Sequence, residues 1–337
     1  MSDAVFNNSI KVLLDVCLGI QQGEDIAVVA DTNTREIAED IAVAVHNRGA
    51  ESTLIIMPTR TRHGEEPTKA AARAMLGAQA AIIPTTYSLS HSKASWAARE
   101  NGCRVLSLPG CSEQIFLDGS LDVDFEKLSS LVKAVGQQLS TAKQARIISG
   151  DGAVLTIPLA GRQSVDQTGI CREPGAFGVP PDVETAVSPL EGTTSGVLVI
   201  DGVVVPGGAV SEPIVAHFQD GSISAIEGGE DAARLRTLLA GYNDPNIYCP
   251  VELGIGMNPK AKMGRGIILE DEGEFGAVHI GLGEGHLFGS SIRAKAHLDL
   301  VLKAPTLEVD GNVILQDKEL RLNDRTLKLK GDNLECL

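Results

Sequence analysis

The stretch AHLDLVL, residues 296–302, reads as a β-strand with two polar residues set into an apolar run. Side chains alternate along a strand, so His297 and Asp299 share a face, roughly 7 Å apart, while Leu298 and Leu300 point the other way. An imidazole beside a carboxylate suits either a metal site or a buried ion pair. Two more histidines precede it in GAVHIGLGEGHLFG (276–289), where His279 ends an apolar strand and His286 follows a series of glycines. Glycines there let backbone approach a ligand or turn sharply. Two acids lie in similar surroundings. Glu252 sits in the apolar CPVELGIGMNP, where an ionised carboxylate needs a partner, and Glu184 sits in PPDVETAVSPLEGTTSG, just before a strand. Histidine and carboxylate donors suit Zn, Co, Mn or Fe(II) better than a thiolate site would. By contrast LEDEGE (269–274) reads as a solvated acidic run in a hairpin loop.

The elements that must position these residues come in two textures, which meet near residue 145. Before it, apolar runs such as IAVVAD (26–31), STLIIMP (52–58), AAIIPTT (80–86) and RVLSLPG (104–110) alternate with helix-like segments. That alternation predicts parallel βαβ units, a mostly parallel, doubly wound α/β domain over 1–145. The segment 124–142 reads as its closing helix. After 145 helices nearly vanish, except over 229–242, and Asp-Gly pairs recur at 151–152, 201–202, 220–221 and 310–311. Asp-Gly between alternating apolar residues predicts tight hairpins, hence a β-rich α+β domain over 146–337.

The doubly wound half lacks G-x-G-x-x-G after its first strand and has no G-x-x-x-x-G-K-[ST], so nothing in it points to a nucleotide. A formal charge of −15 repels phosphate backbones, and aromatics are too few for base-stacking platforms. No run is long enough for a membrane span, and the start of the chain reads as an amphipathic helix rather than a signal peptide. The six cysteines, Cys17, Cys103, Cys111, Cys171, Cys249 and Cys336, form no C-x-x-C pair. Reduced thiols and a cytoplasmic location are the expectation.

Taken in order, these pieces resemble the aminopeptidase T and aminopeptidase S metallopeptidases. The similarity extends over most of the chain and is strongest from about 180 to 311. It rests on Glu184 with Pro189, Glu191 and Gly192 behind it, Glu252 before G-I-G-x-N-P, His279 in H-x-x-L-G, and the closing His297-x-Asp299. The resemblance implies a hydrolase that removes N-terminal residues from peptides, working as a homodimer. Two divalent ions (Zn, Co or Mn) would be held by Glu184, Glu252, His279, His297 and Asp299. His286 stands where the peptidases have a tyrosine and is the expected catalytic residue, stabilising the oxyanion. The 2,5-dihydroxypyridine 5,6-dioxygenases share the architecture but carry histidine where this chain has Glu252. Kinship with them implies one Fe(II) and a ring-cleaving reaction on a small molecule instead. A non-catalytic binding protein on the same fold is the third reading.

Overall fold

The structure, a computed structural model, describes residues 2–322, 325–330 and 333–336. It divides into two compact units, one of residues 1–129 with 168–182, the other of 130–167 with 183–337. The division is therefore discontinuous, where the sequence texture suggests a single cut near residue 145.

The first unit holds a five-stranded parallel sheet. Its order is Glu51–Met57, Asp25–Asp31, Ala80–Thr85, Arg104–Pro109 and the short Phe177–Gly178. The order reverses direction at the first strand of the chain, the mark of a doubly wound sheet. Ala80–Thr85 and Arg104–Pro109 are buried along their whole length, as strands covered on both faces must be. The helices Arg35–His46, Lys69–Gly77 and Lys93–Glu100 provide the cover, with Thr68 and Ser92 capping the last two. The segment 168–182 belongs here because Phe177–Gly178 extends the sheet beside Arg104–Pro109. Cys17, Cys103, Cys111 and Cys171 are buried free thiols, and burial pushes Cys111 and Cys171 up to about 12. Such thiols are chemically quiet. The side chain of Cys336 lies outside the described residues.

The second unit is built on a ten-stranded and a seven-stranded sheet. The helix Phe125–Thr141 leads into it, and Glu230–Gly241 is its one long internal helix among the described residues. The Asp-Gly pairs do not all act alike. Asp220–Gly221 and Asp310–Gly311 have positive φ at both residues, the two-residue hairpin turn expected. Asp201–Gly202 has neither. It joins Ser195–Ile200 of the larger sheet to Val203–Val205 of the smaller, so it is a crossover between sheets. Glycine is needed there for space: a Cβ on Gly202 would lie 2.4 Å from the carbonyl oxygen of Val301. None of the described helices is long and apolar enough to cross a membrane.

The two kinds of glycine differ in what a side chain would cost. Gly311 opens onto free space, so Gly311→Ala strains only φ and is expected to lower stability by about 1 kcal/mol. Gly202→Ala drives a Cβ into fixed backbone and should cost more. Thermal unfolding ranks the pair, and equal midpoints would contradict this account of the crossover.

Candidate metal centre

The smaller sheet runs Gly208–Ala209, Val203–Val205, His297–Leu302, Val278–Gly283, Pro250–Gly256, Glu184–Val187 and Ser164–Gln167, all antiparallel. Its register explains the polar face. Gly256 is opposite Glu184, Gly254 opposite His279, Glu252 opposite Gly281, and Gly281 opposite Asp299, with Gly283 opposite His297. Residues facing across a ladder share a side of the sheet, and every second residue along a strand returns to it. Glu184, Glu252, His279, His297 and Asp299 therefore stand on one face, interleaved with Gly254, Gly256, Gly281 and Gly283. Leu253, Ile255, Ile280, Leu282, Leu298 and Leu300 take the other face and are buried.

The glycines clear the floor. A Cβ on Gly254 would lie 2.0 Å from His279 Nε2, and one on Gly281 would lie 2.7 Å from both Glu252 Oε2 and His297 Cε1. Only a residue with no side chain leaves room for these functional groups over the strands.

The five predicted ligands converge in two groups that share Glu252. Donor atoms of Glu184, Glu252 and His279 lie within 4.8 Å of one another, and so do those of Glu252, His297 and Asp299. His297 Nε2 is 3.0 Å from Glu252 Oε2 and 3.1 Å from Asp299 Oδ1. His279 Nε2 is 3.3 Å from Glu252 Oε1 and 3.4 Å from Glu184 Oε2. Outside these groups, Gln167 Nε2 donates to Glu184 Oε1 at 2.6 Å, and His297 Nδ1 donates to the carbonyl of Glu284 at 2.8 Å. The second bond fixes His297 with Nε2 turned to the carboxylates. His286 does not join them. It is exposed in the following loop, with its Nδ1 2.6 Å from Arg293 Nη2.

Three buried carboxylates this close are electrostatically expensive. Two unit charges 4.8 Å apart repel by roughly 3–4 kcal/mol at an effective dielectric of 20. The protonation pattern answers that strain. Burial raises Glu184 to about 7, although His279 pulls it back. Burial alone would lower His279, but Glu184 and Glu252 outweigh it and lift the imidazole to about 10. His297 rises in the same way, against its own burial, through Asp299 and Glu252. Asp299 is held below its ordinary value because His297 outweighs its desolvation. The site attracts positive charge, and protons on the imidazoles supply it in the metal-free chain. Glu184 Oε2 and His279 Nδ1 are buried without a hydrogen-bond partner. Hard carboxylate oxygens, imidazole nitrogens, excess negative charge and an orphaned buried oxygen all fit a divalent cation.

The acidic run 269–274 departs from expectation. Ile268–Asp271 is a short helix, Glu270 and Asp271 are buried, and this run is no solvated hairpin loop. Its carboxylates cap a neighbouring turn: the amides of Lys262, Met263 and Gly264 donate to Glu270, Glu274 and Asp271 respectively. An acid with several backbone donors can be buried, and residue type alone does not reveal those donors.

Comparison with known proteins places this chain in a family. The model of the 2,5-dihydroxypyridine 5,6-dioxygenase (NicX) family matches residues 6–321. The curated 2,5-dihydroxypyridine 5,6-dioxygenase of Pseudomonas putida KT2440 is 26% identical over 257 residues, 73% of this chain and 72% of that protein. The solved structure of the 2,5-dihydroxypyridine dioxygenase from Pseudomonas putida KT2440 superposes with a TM-score of 0.83 at 20% identity, over 96% of this chain and 99% of that one. AmpT from Thermus thermophilus superposes with a TM-score of 0.68 at 15% identity, over 100% and 98%. At such identities the two structures establish the shared fold alone. The peptidase resemblance thus holds for architecture, while the hydrolase and aminopeptidase assignment drawn from it is overturned by the family match across nearly the whole chain. The chain belongs to the 2,5-dihydroxypyridine 5,6-dioxygenase family.

Proposed function

We infer that this protein is a mononuclear non-haem Fe(II) dioxygenase that opens the ring of a hydroxylated pyridine, with Glu252, His297 and Asp299 holding the iron. The observation that carries the reading is the His297 Nε2 contact with Glu252 and Asp299, inside a family match covering residues 6–321. Bound Fe(II) supplies the one-electron chemistry that lets O2 react with a closed-shell ring, and a three-residue donor set leaves positions free for small ligands.

The chain's own residues set the conditions. Glu252 and Asp299 together balance the charge of one ferrous ion. Glu184 adds a further negative charge, which a protonated His279 cancels at 3.4 Å. One iron thus leaves the buried face neutral, which low-dielectric surroundings favour. Gln167 and the Glu284 carbonyl fix the orientation of Glu184 and His297. The leucines and isoleucines behind the sheet keep the opposite face dry. The donor set is one histidine with two carboxylates, where the resemblance drawn from the sequence implies a histidine at position 252 in the related dioxygenases. This substitution changes the charge at the centre without removing a donor.

Anaerobic reconstitution followed by elemental analysis is expected to give one iron per chain, with oxygen uptake on adding 2,5-dihydroxypyridine or a close hydroxylated analogue. Two tightly held ions and no oxygen uptake would sink the reading. Because His297 holds a proton in the metal-free protein, metal loading displaces it. Apparent affinity should therefore rise with pH through the neutral range, with proton release measurable in weak buffer. Glu252→Ala should lower iron affinity at least about tenfold, whereas Glu252→His keeps a donor and should retain binding. Gly281→Ala deletes no donor, yet it should weaken iron binding on the scale of a lost supporting contact, roughly 10–100-fold. Isothermal titration with each variant checks these outcomes.

A further inference from the structure

The Glu-Gly pair at 191–192, part of the family-like pattern, has no place in the five-residue cluster. Glu191 follows the Glu184–Val187 strand and is half-buried. Its Oε1 accepts from Ser290 Oγ at 3.1 Å, Ser291 N at 2.9 Å and Ser291 Oγ at 3.2 Å. Its Oε2 pairs with the guanidinium of Arg162, whose Nη1 reaches on to the carbonyl of Gly289 at 3.3 Å. Two charged side chains thus grip three consecutive residues of another loop.

That loop, 284–296, joins the strand bearing His279 to the strand bearing His297. Its inner end bears directly on the centre. The Glu284 carbonyl accepts the Nδ1 proton of His297, and the buried Phe288 ring lies 5.5 Å from the imidazole, centroid to centroid. The Glu284 carboxylate folds back onto the amides of His286 and Ala294. Apart from one short 3-10 turn at His286–Phe288, the described loop has no regular structure, and its shape rests on such local bonds. Gly285 and Gly289 make it costly to order. An ionised carboxylate with three donors and an arginine offsets that cost. These partners outweigh the partial burial of Glu191 and hold its carboxyl at about 2, so the grip persists through neutral pH.

We propose that Glu191 is a positioning residue for the metal centre. By pinning Gly289–Ser291 it fixes the loop whose Glu284 carbonyl and Phe288 ring hold His297 with Nε2 turned to Glu252 and Asp299. Glu191 itself touches no ligand. The inference rests on His297 serving a metal, as in the function inferred above.

Two readouts test it. In the metal-free protein, the His297 Nδ1 proton should give a protected resonance, assigned by its loss in His297→Gln. Glu191→Ala should broaden or abolish it, and Glu191→Gln, which keeps one acceptor oxygen, should do so less. Cobalt(II) titration should show affinity falling about tenfold in Glu191→Ala, by analogy with other supporting residues of metal sites. Glu308→Gln, which breaks a separate ion pair with Arg146, should change neither readout. An unchanged Nδ1 resonance together with unchanged cobalt affinity in Glu191→Ala would overturn the proposal. If Glu191→Ala does not fold, Ser291→Ala and Glu191→Gln carry the same two measurements. A wild-type chain that binds cobalt but takes up no oxygen would refute the dioxygenase reading, and the resonance and affinity comparison would still judge Glu191.

Discussion

The smaller sheet of the second unit answers to one constraint: several ionisable groups must share one face of an otherwise apolar sheet. Glu184, Glu252 and Asp299 repel one another, and each loses water on burial. The arrangement persists because two imidazoles stand between the carboxylates and because alternate glycines keep side chains out of the space between strands. Remove the imidazoles and the face has no charge balance. Remove the glycines and the groups cannot meet.

The same logic separates what a fold supplies from what decides a reaction. What this chain has in common with AmpT from Thermus thermophilus is the fold, and in this chain that fold gathers carboxylates and imidazoles on one sheet. Such a platform serves any divalent ion that likes oxygen and nitrogen donors. The reaction is decided by finer features: which donors the ion takes, how much negative charge remains, and what loops surround it. Residue types in sequence order resolve the platform well and the reaction poorly.

That difference shows which parts were legible. His297 and Asp299 stood out because a strand's two-residue period leaves two polar residues visible against leucines. The glycines in GLGEG and ELGIG were visible too, but their purpose needed the register that sets Gly254 against His279 and Gly281 against Glu252. The parallel sheet and the antiparallel half followed from periodicity and turn residues. The acidic run 269–274 misled, since burial of Glu270 and Asp271 depends on backbone donors from 262–264 that composition does not reveal. Asp201–Gly202 misled for a similar reason: Asp-Gly there meets a space requirement instead of a left-handed turn. His279, expected as a ligand, lies on the strand, whereas His286, expected as the catalytic residue, lies beyond its end, where Arg293 engages it.

A second contrast, between His279 and His297, shows how position on the sheet decides what must hold an imidazole in place. His279 is held by a ladder on both sides, so its imidazole has little freedom and sits where two carboxylates must be neutralised. His297 begins its strand and is half-buried, so the ladder alone does not orient it. It needs a second constraint, and the adjoining loop provides a carbonyl on one nitrogen and an aromatic ring beside the imidazole. A loop rich in glycine can deliver those groups only if something outside it sets its path. A carboxylate ionised at every physiological pH, bonded to two successive serines and an arginine, is suited to that task because its bonds do not weaken as the imidazole gains or loses a proton. The imidazole nearer solvent thus depends on a support outside the sheet, while the more buried one depends on the sheet itself.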